Sequence, residues 1–101
     1  MKLATLRRYA LSLPDVTEQP HHEFGSWRVH GRIFATIPPA GDAIHVFLGD
    51  DDRERALAMY PAWTEKLMWG GKARGVRLLL GTAELSAAKR LLSRAHAAKA
   101  G

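Results

Sequence analysis

Leucine and alanine recur at three- and four-residue intervals near the start of the chain, at Leu3, Leu6, Ala10 and Leu13. That spacing lines one face of a helix, so a helix is expected over residues 2–12. Pro14 ends it, because proline pushes the preceding residue out of the helical region. Residues 15–25 are polar and read as a connector, with at most a short extended piece at the start. From residue 26 the pattern changes. Trp27, Val29, Ile33, Phe34 and Ile37 are β-formers around His30-Gly31, which reads as a hairpin turn over residues 26–37. Two registers compete. A two-residue turn pairs Val29 with Arg32. A three-residue loop pairs Val29 with Ile33, gives the cleaner apolar face and is the one expected. After a Pro38-Pro39 turn, Ile44, Val46 and Leu48 alternate with His45 and Phe47 in a third strand, residues 43–48.

A second helix is expected over residues 51–60, stopped by Pro61. Asp51 and Glu54 have the spacing of a capping box, and acids suit the positive end of the helix dipole. Residues 63–68 read as a fourth strand, 69–75 as a turn and 76–80 as a fifth strand. A third helix is expected over residues 83–99, capped by Thr82, with Leu85, Ala88, Leu92 and Ala95 as its buried stripe. Short turns between neighbouring strands argue for an antiparallel sheet with helices packed on it. The expected fold is α+β, in the order α-β(3)-α-β(2)-α, as one domain over residues 1–101. Leu6, Val29, Ile33, Val46, Leu78 and Leu92 are the expected core.

The composition fits this picture: 47% of the 101 residues are hydrophobic and 25% charged, an ordinary globular balance. Cysteine is absent, which excludes disulfides, thiolate metal sites and a cysteine nucleophile. No apolar run approaches the roughly 20 residues of a membrane span, and residues 1–13 lack the form of a signal peptide. A cytoplasmic location is the expectation.

Charge is distributed unevenly. Residues 1–13 hold three basic groups and no acid, residues 14–52 two basic and seven acidic, and residues 53–101 ten basic and three acidic. The net +5 is common on small domains, but the basic second half makes a polyanion a candidate partner. The densest run is Lys66, Lys72, Arg74 and Arg77, with Trp69 and two glycines inside it. Arginine and lysine on a flexible hairpin with an aromatic nearby suit phosphate contact and base stacking. A tryptophan packed on the sheet and solvated cations are the plainer reading. Arg28 and Arg32 flank the first hairpin turn, so the two hairpins could act as paired basic wings. Lys89, Arg90 and Arg94 of the third helix are further basic groups.

Other chemistry finds little support. His21-His22-Glu23 is no metal site by spacing, because adjacent strand residues point to opposite faces. Asp50-Asp51-Asp52 has carboxylates for a magnesium ion, but helix capping accounts for acids there. No serine lies in a nucleophile elbow, and Gly70-Gly71-Lys72 lacks the rest of a phosphate-binding loop. No catalytic residue, cofactor or metal is indicated.

Two stretches resemble the MmcQ/YjbR family. Leu13-Pro14-Asp15-Val16-Thr17-Glu18 is similar to the family's Leu-Pro-Gly-(Val/Thr)-Thr-Glu segment. Trp27-Arg28-Val29-His30-Gly31-Arg32-Ile33-Phe34-Ala35 is similar to its Phe-Arg-Val-Gly-Gly-Lys-(Ile/Met)-Phe-Ala hairpin. The leucine-rich strand before the last helix also matches, so the resemblance covers most of the chain. It implies the same α-β(3)-α-β(2)-α order and a double-wing, DNA-binding role. Two departures stand out: His30 replaces a turn glycine, and residues 63–75 are unusually glycine-rich and basic. The expected function is therefore nucleic-acid binding, DNA first, through Arg28, Arg32, Lys66, Trp69, Lys72, Arg74 and Arg77. The alternatives are a protein-interaction or chaperone-like module using a groove between sheet and helices, and an enzyme acting on an anionic small molecule.

Overall fold

Every strand pair in the computed structural model, which describes residues 1–101, is antiparallel. The elements follow as α1 (Leu3–Ser12), β1 (Val16–His21), β2 (Phe24–Val29), β3 (Arg32–Ile37), β4 (Ala43–Phe47), α2 (Asp50–Met59), β5 (Thr64–Trp69), β6 (Lys72–Leu79) and α3 (Leu85–Ala100). They build one six-stranded sheet of order β1-β2-β3-β4-β6-β5. This is the α+β fold that the hydrophobic pattern predicts, with one strand added at the edge.

The added strand is β1, which lies in the expected polar connector. None of its residues is fully buried, so no apolar alternation announces it. An edge strand accommodates Pro20, which has no N–H to give to a ladder. Glu18 anchors it: its carboxylate accepts the Trp27 indole N–H at 2.9 Å and pairs with the Arg7 guanidinium of α1 at 2.9 Å.

All three helices pack on one face of the sheet. Leu6 and Ala10 of α1, Ala88 and Leu92 of α3, and Trp27, Phe34, Ala35, Ile44, Val46, Val76 and Leu78 of the sheet are completely or almost completely buried between these layers. Of the six expected core residues only Ile33 is merely half-buried. Leu85, expected in the α3 stripe, is 37% exposed, and Ala87 and Leu91 are buried with Ala88 and Leu92 instead.

Three local expectations are corrected. Helix α2 starts at Asp50, a residue early, so Asp51 lies inside it and makes no capping box. Glu54 instead accepts from Arg53 at 2.8 Å. Its three leading aspartates still sit at the positive end of the helix. Thr82 makes no cap on α3, whose first turn begins after Glu84. The second hairpin turn is far shorter than residues 69–75: only Gly70 and Gly71 lie outside the strands.

The first hairpin combines both registers. Its tip is the two-residue turn, with Val29 opposite Arg32 and positive φ at His30 (52°) and Gly31 (78°). Such a turn requires positive φ at both central residues. A bulge between Trp27 and Arg28 on one strand leaves Phe34 as the extra residue on the other. Beyond it, Trp27 faces Ala35 and Ser26 faces Thr36, which is the alignment of the three-residue loop.

Candidate functional site

Strand direction decides where the basic residues meet. The first hairpin turns at the start of β3, and β3 pairs antiparallel with β4. Strand β4 pairs antiparallel with β6, whose start follows the second hairpin turn. Both turns therefore project from the same end of the sheet, one on each side of β4. The C-terminal end of β4 and the first turn of α2 lie between them.

A cleft opens at this end. Strands β3 and β4 pair over only two rungs, Ala35 with Val46 and Thr36 with His45. Towards the turns the strands part. The space between, about 700 Å³, is lined by Ile33 on one side and by Trp69, Gly70, Ala73 and Arg74 on the other. Phe47, Leu48, Gly49 and Asp50 lie between these walls, and Ala98 and Lys99 come from the end of α3.

The second wing is built like the first. Gly70 (φ 58°) and Gly71 (φ 78°) form the turn, and Trp69 faces Lys72 across it. A bulge then leaves Arg74 as the extra residue, with Ala73 opposite Met68 and Gly75 opposite Leu67. The Arg74 carbonyl accepts the Leu48 N–H at 3.1 Å, which ties the bulge to β4. Gly75 is required at this approach: a Cβ there would lie 1.9 Å from the Val46 carbonyl oxygen.

The seven residues expected to form the site divide by strand face. Trp69 and Arg74 line the cleft, and Lys72 shares a rung with Trp69. Arg32 stands at the other wing and reaches the Lys99 carbonyl at 3.5 Å. Arg28 lies on the face of the sheet away from the helices, where Ser26 Oγ accepts from it at 3.0 Å and the Pro20 carbonyl at 3.3 Å. Arg77 lies on that face too, 3.5 Å from the Glu65 carboxylate and 3.4 Å from His45 Nε2. Lys66 points to the helix side and pairs with Glu54 of α2 at 3.7 Å. Four cations thus gather at the cleft end: Arg32, Lys72, Arg74 and Lys99. None of them is in an ion pair. The one carboxylate of the lining, Asp50, is held by Arg53 at 2.7 Å.

Lys99, Ile33, Phe47 and Asp50 are not among the seven residues expected to form the site. Lys99 enters because α3 ends beside the first wing, a tertiary relation with no local signal. The parity of β5 was a signal for Lys66: residues 65, 67 and 69 face one way, and 64, 66 and 68 the other.

Trp69 is the most exposed of the three tryptophans, at 38%, against 0% for Trp27 and 6% for Trp63. Its ring meets those of Phe47 and His45 edge-on, with centroids 5.3 and 5.8 Å away. His45 also meets Phe24 at 5.8 Å, so an aromatic row crosses the helix-free face. Beneath it, Thr36 Oγ1 and His45 Nδ1 are buried without a protein partner. Burial first, and the Arg77 charge second, lower the His45 pKa below its ordinary 6.5. The ring is neutral near pH 7. With Nε2 facing the Arg77 donor, the ring proton lies on Nδ1.

No group of three or more histidine and acidic side chains is placed to hold a metal ion, and no helix is long and apolar enough to cross a membrane.

Such a fold defines a class of small α+β proteins in which two β-hairpin wings flank a cleft at one end of a single sheet. The chain belongs to the YjbR family, whose model matches residues 11–98. That span runs from the end of α1 almost to the end of α3 and includes both wings. No curated protein matches the chain.

Proposed function

We propose that this protein binds nucleic acid, DNA first, by holding phosphates between its two wings. One observation carries the reading. The cations at the cleft end, Arg32, Lys72, Arg74 and Lys99, are free of carboxylates. Arg7, Arg53, Lys66, Arg77 and Arg94 are each paired with one; Lys2, Arg8, Arg28, Arg55, Lys89 and Arg90 are unpaired too, but none of these lines the cleft. Arg74 and Lys99 line the cleft, and Arg32 and Lys72 follow the two turns beside it. Unpaired cations gathered at one end attract a polyanion, and phosphate neutralisation with counterion release supplies the affinity.

Two features favour this reading over its alternatives. The space between sheet and helices, which an interaction groove would need, is filled by Leu6, Trp27, Phe34 and Leu92, all fully buried. The cleft lining offers no serine, threonine, histidine or tyrosine side chain, and its one carboxylate, Asp50, is held by Arg53, which favours a binding role over nucleophilic or acid–base work.

The test is affinity against salt. Each phosphate contact contributes a log–log slope of about 0.7 on single strands and 0.9 on duplex DNA. Four contacts give about −2.8 and −3.6. Micromolar or tighter binding at low salt with such a slope supports the proposal. A salt-independent affinity, or no binding at low salt, rejects it.

A further inference from the structure

We infer that the cleft receives an unpaired base, so that the preferred ligand is single-stranded DNA. This deepens the nucleic-acid reading and rests on it.

Three observations lead there. The cleft is too apolar to be a phosphate site alone. Ile33, Phe47, Leu48 and Ala98 line it, with the cations Arg74 and Lys99 among them. A nucleotide matches that division, because its base is flat and apolar-faced while its backbone is anionic. Trp69 stands in the wall with 38% of its surface open, and two rings meet it edge-on. A ring fixed in this way stacks a base without ordering a mobile side chain, and stacking is sequence-tolerant because every base has a π-face.

The third observation is the tips themselves. The second wing ends in Gly70-Gly71, which has no side chain to reach a base edge in a duplex groove, and at the first tip the His30 ring is turned to the Asp15 carboxylate, 3.3 Å away. Direct readout of a duplex needs such side chains. A duplex would also have to extrude a base to fill the cleft, at a cost in unstacking that an unpaired strand does not bear. DNA is taken as the ligand because the lining asks nothing of a 2′-hydroxyl: Asp50, its one carboxylate, is engaged by Arg53, and the donors Arg74 and Lys99 serve the phosphates.

The experiment uses the whole chain and oligonucleotides of roughly 12 nucleotides, within the range of single-strand sites. One mixed sequence is offered as a single DNA strand, as its duplex and as the matching RNA strand, at low salt. Tryptophan fluorescence and anisotropy are read together. Trp27 and Trp63 are buried, so quenching by the ligand reports on Trp69.

The single DNA strand is expected to bind at least about tenfold tighter than the duplex and to quench the emission. Trp69→Phe keeps an aromatic face: it binds within about threefold of wild type and loses the quench. Trp69→Ala weakens single-strand binding by roughly 5- to 100-fold. If the alanine variant melts early, the phenylalanine variant's lost quench carries the test.

Salt-dependent binding in which the duplex is equal or better, or in which the single strand leaves the emission unchanged, overturns the stacking proposal. It leaves the phosphate grip standing. Tighter binding of the RNA strand moves the cleft to RNA and overturns the commitment to DNA. No binding of any of the three overturns this inference together with the proposed function.

Discussion

Phe34 and Arg74 occupy the same position in two hairpins. Each is the third residue after a two-residue turn whose central residues both have positive φ, and each is the extra residue of a bulge. One scaffold position thus serves two ends. Phe34 is fully buried and meets the His96 ring of α3 at 5.5 Å, so the bulge fastens the first wing to a helix. Arg74 is exposed in the cleft wall, so the bulge presents a cation.

Gly75, directly after the second bulge, makes a sharp stability prediction. A Cβ there would meet Val46 O at 1.9 Å, Leu48 N at 2.8 Å and Phe47 Cα at 2.9 Å. All three belong to the backbone of β4 and its extension, which cannot swing away like a side chain. Gly75→Ala should cost about 3 kcal/mol, the upper range of overpacking penalties. Denaturant unfolding measures it, and a cost under about 1 kcal/mol would show that β4 and β6 part easily.

Much of this was legible in the sequence, and the remainder was missing for physical reasons. The helices, the antiparallel sheet and five of its strands follow from period and punctuation. Strand β1 does not, because its exposed residues leave no alternation to read. In the first hairpin, the turn preferred one register and the apolar face preferred the other. The bulge at Phe34 satisfies both, and no glycine within β3 marks it. At the site, Trp69, Lys72 and Arg74 were readable as a cluster on one hairpin. That Arg32 and Lys99 join them depends on strand order and on where α3 ends. Lys66 and Arg77 lie close by in sequence but are turned elsewhere, to Glu54 and to Glu65.

Thr36 is expected to be a stability reserve. Its hydroxyl is fully buried and finds no protein partner, and His45 Nδ1 opposite is in the same position. An unmade buried hydrogen bond costs about 1–3 kcal/mol. Thr36→Val replaces the hydroxyl with a methyl of similar size and should stabilise by about 1 kcal/mol. In a domain of this length that raises Tm by roughly 4–8 °C. A lowered Tm would mean that the hydroxyl is satisfied in solution.

His45 should make stability depend on pH. Burial, then Arg77, hold its folded pKa below 6.5, so the unfolded chain takes up the proton more readily. The stability tied to its neutral form is complete above about pH 6.5 and is lost as pH falls from there through the folded value. Glu65 faces Arg77 from the neighbouring strand at 3.5 Å. Thermal melts between pH 7.5 and 5.5 should show a falling Tm in the wild type and a flatter profile in His45→Gln. A profile that His45→Gln leaves unchanged would assign the dependence to other groups.

The central claim is that position, and not net charge, makes the cleft a phosphate site. Two charge-matched double variants test it on single-stranded DNA. Lys72→Ala with Arg74→Ala removes two cations at the cleft end. Lys66→Ala with Lys89→Ala removes two from the helix side, where Lys66 pairs with Glu54 and Lys89 lies over the Tyr9 ring. The log-affinity against log-salt slope should lose about 1.4 in magnitude in the first variant, for two contacts at about 0.7 each. In the second it should stay within about 0.3 of wild type. Equal losses in both, or an unchanged slope in the first, would contradict the account.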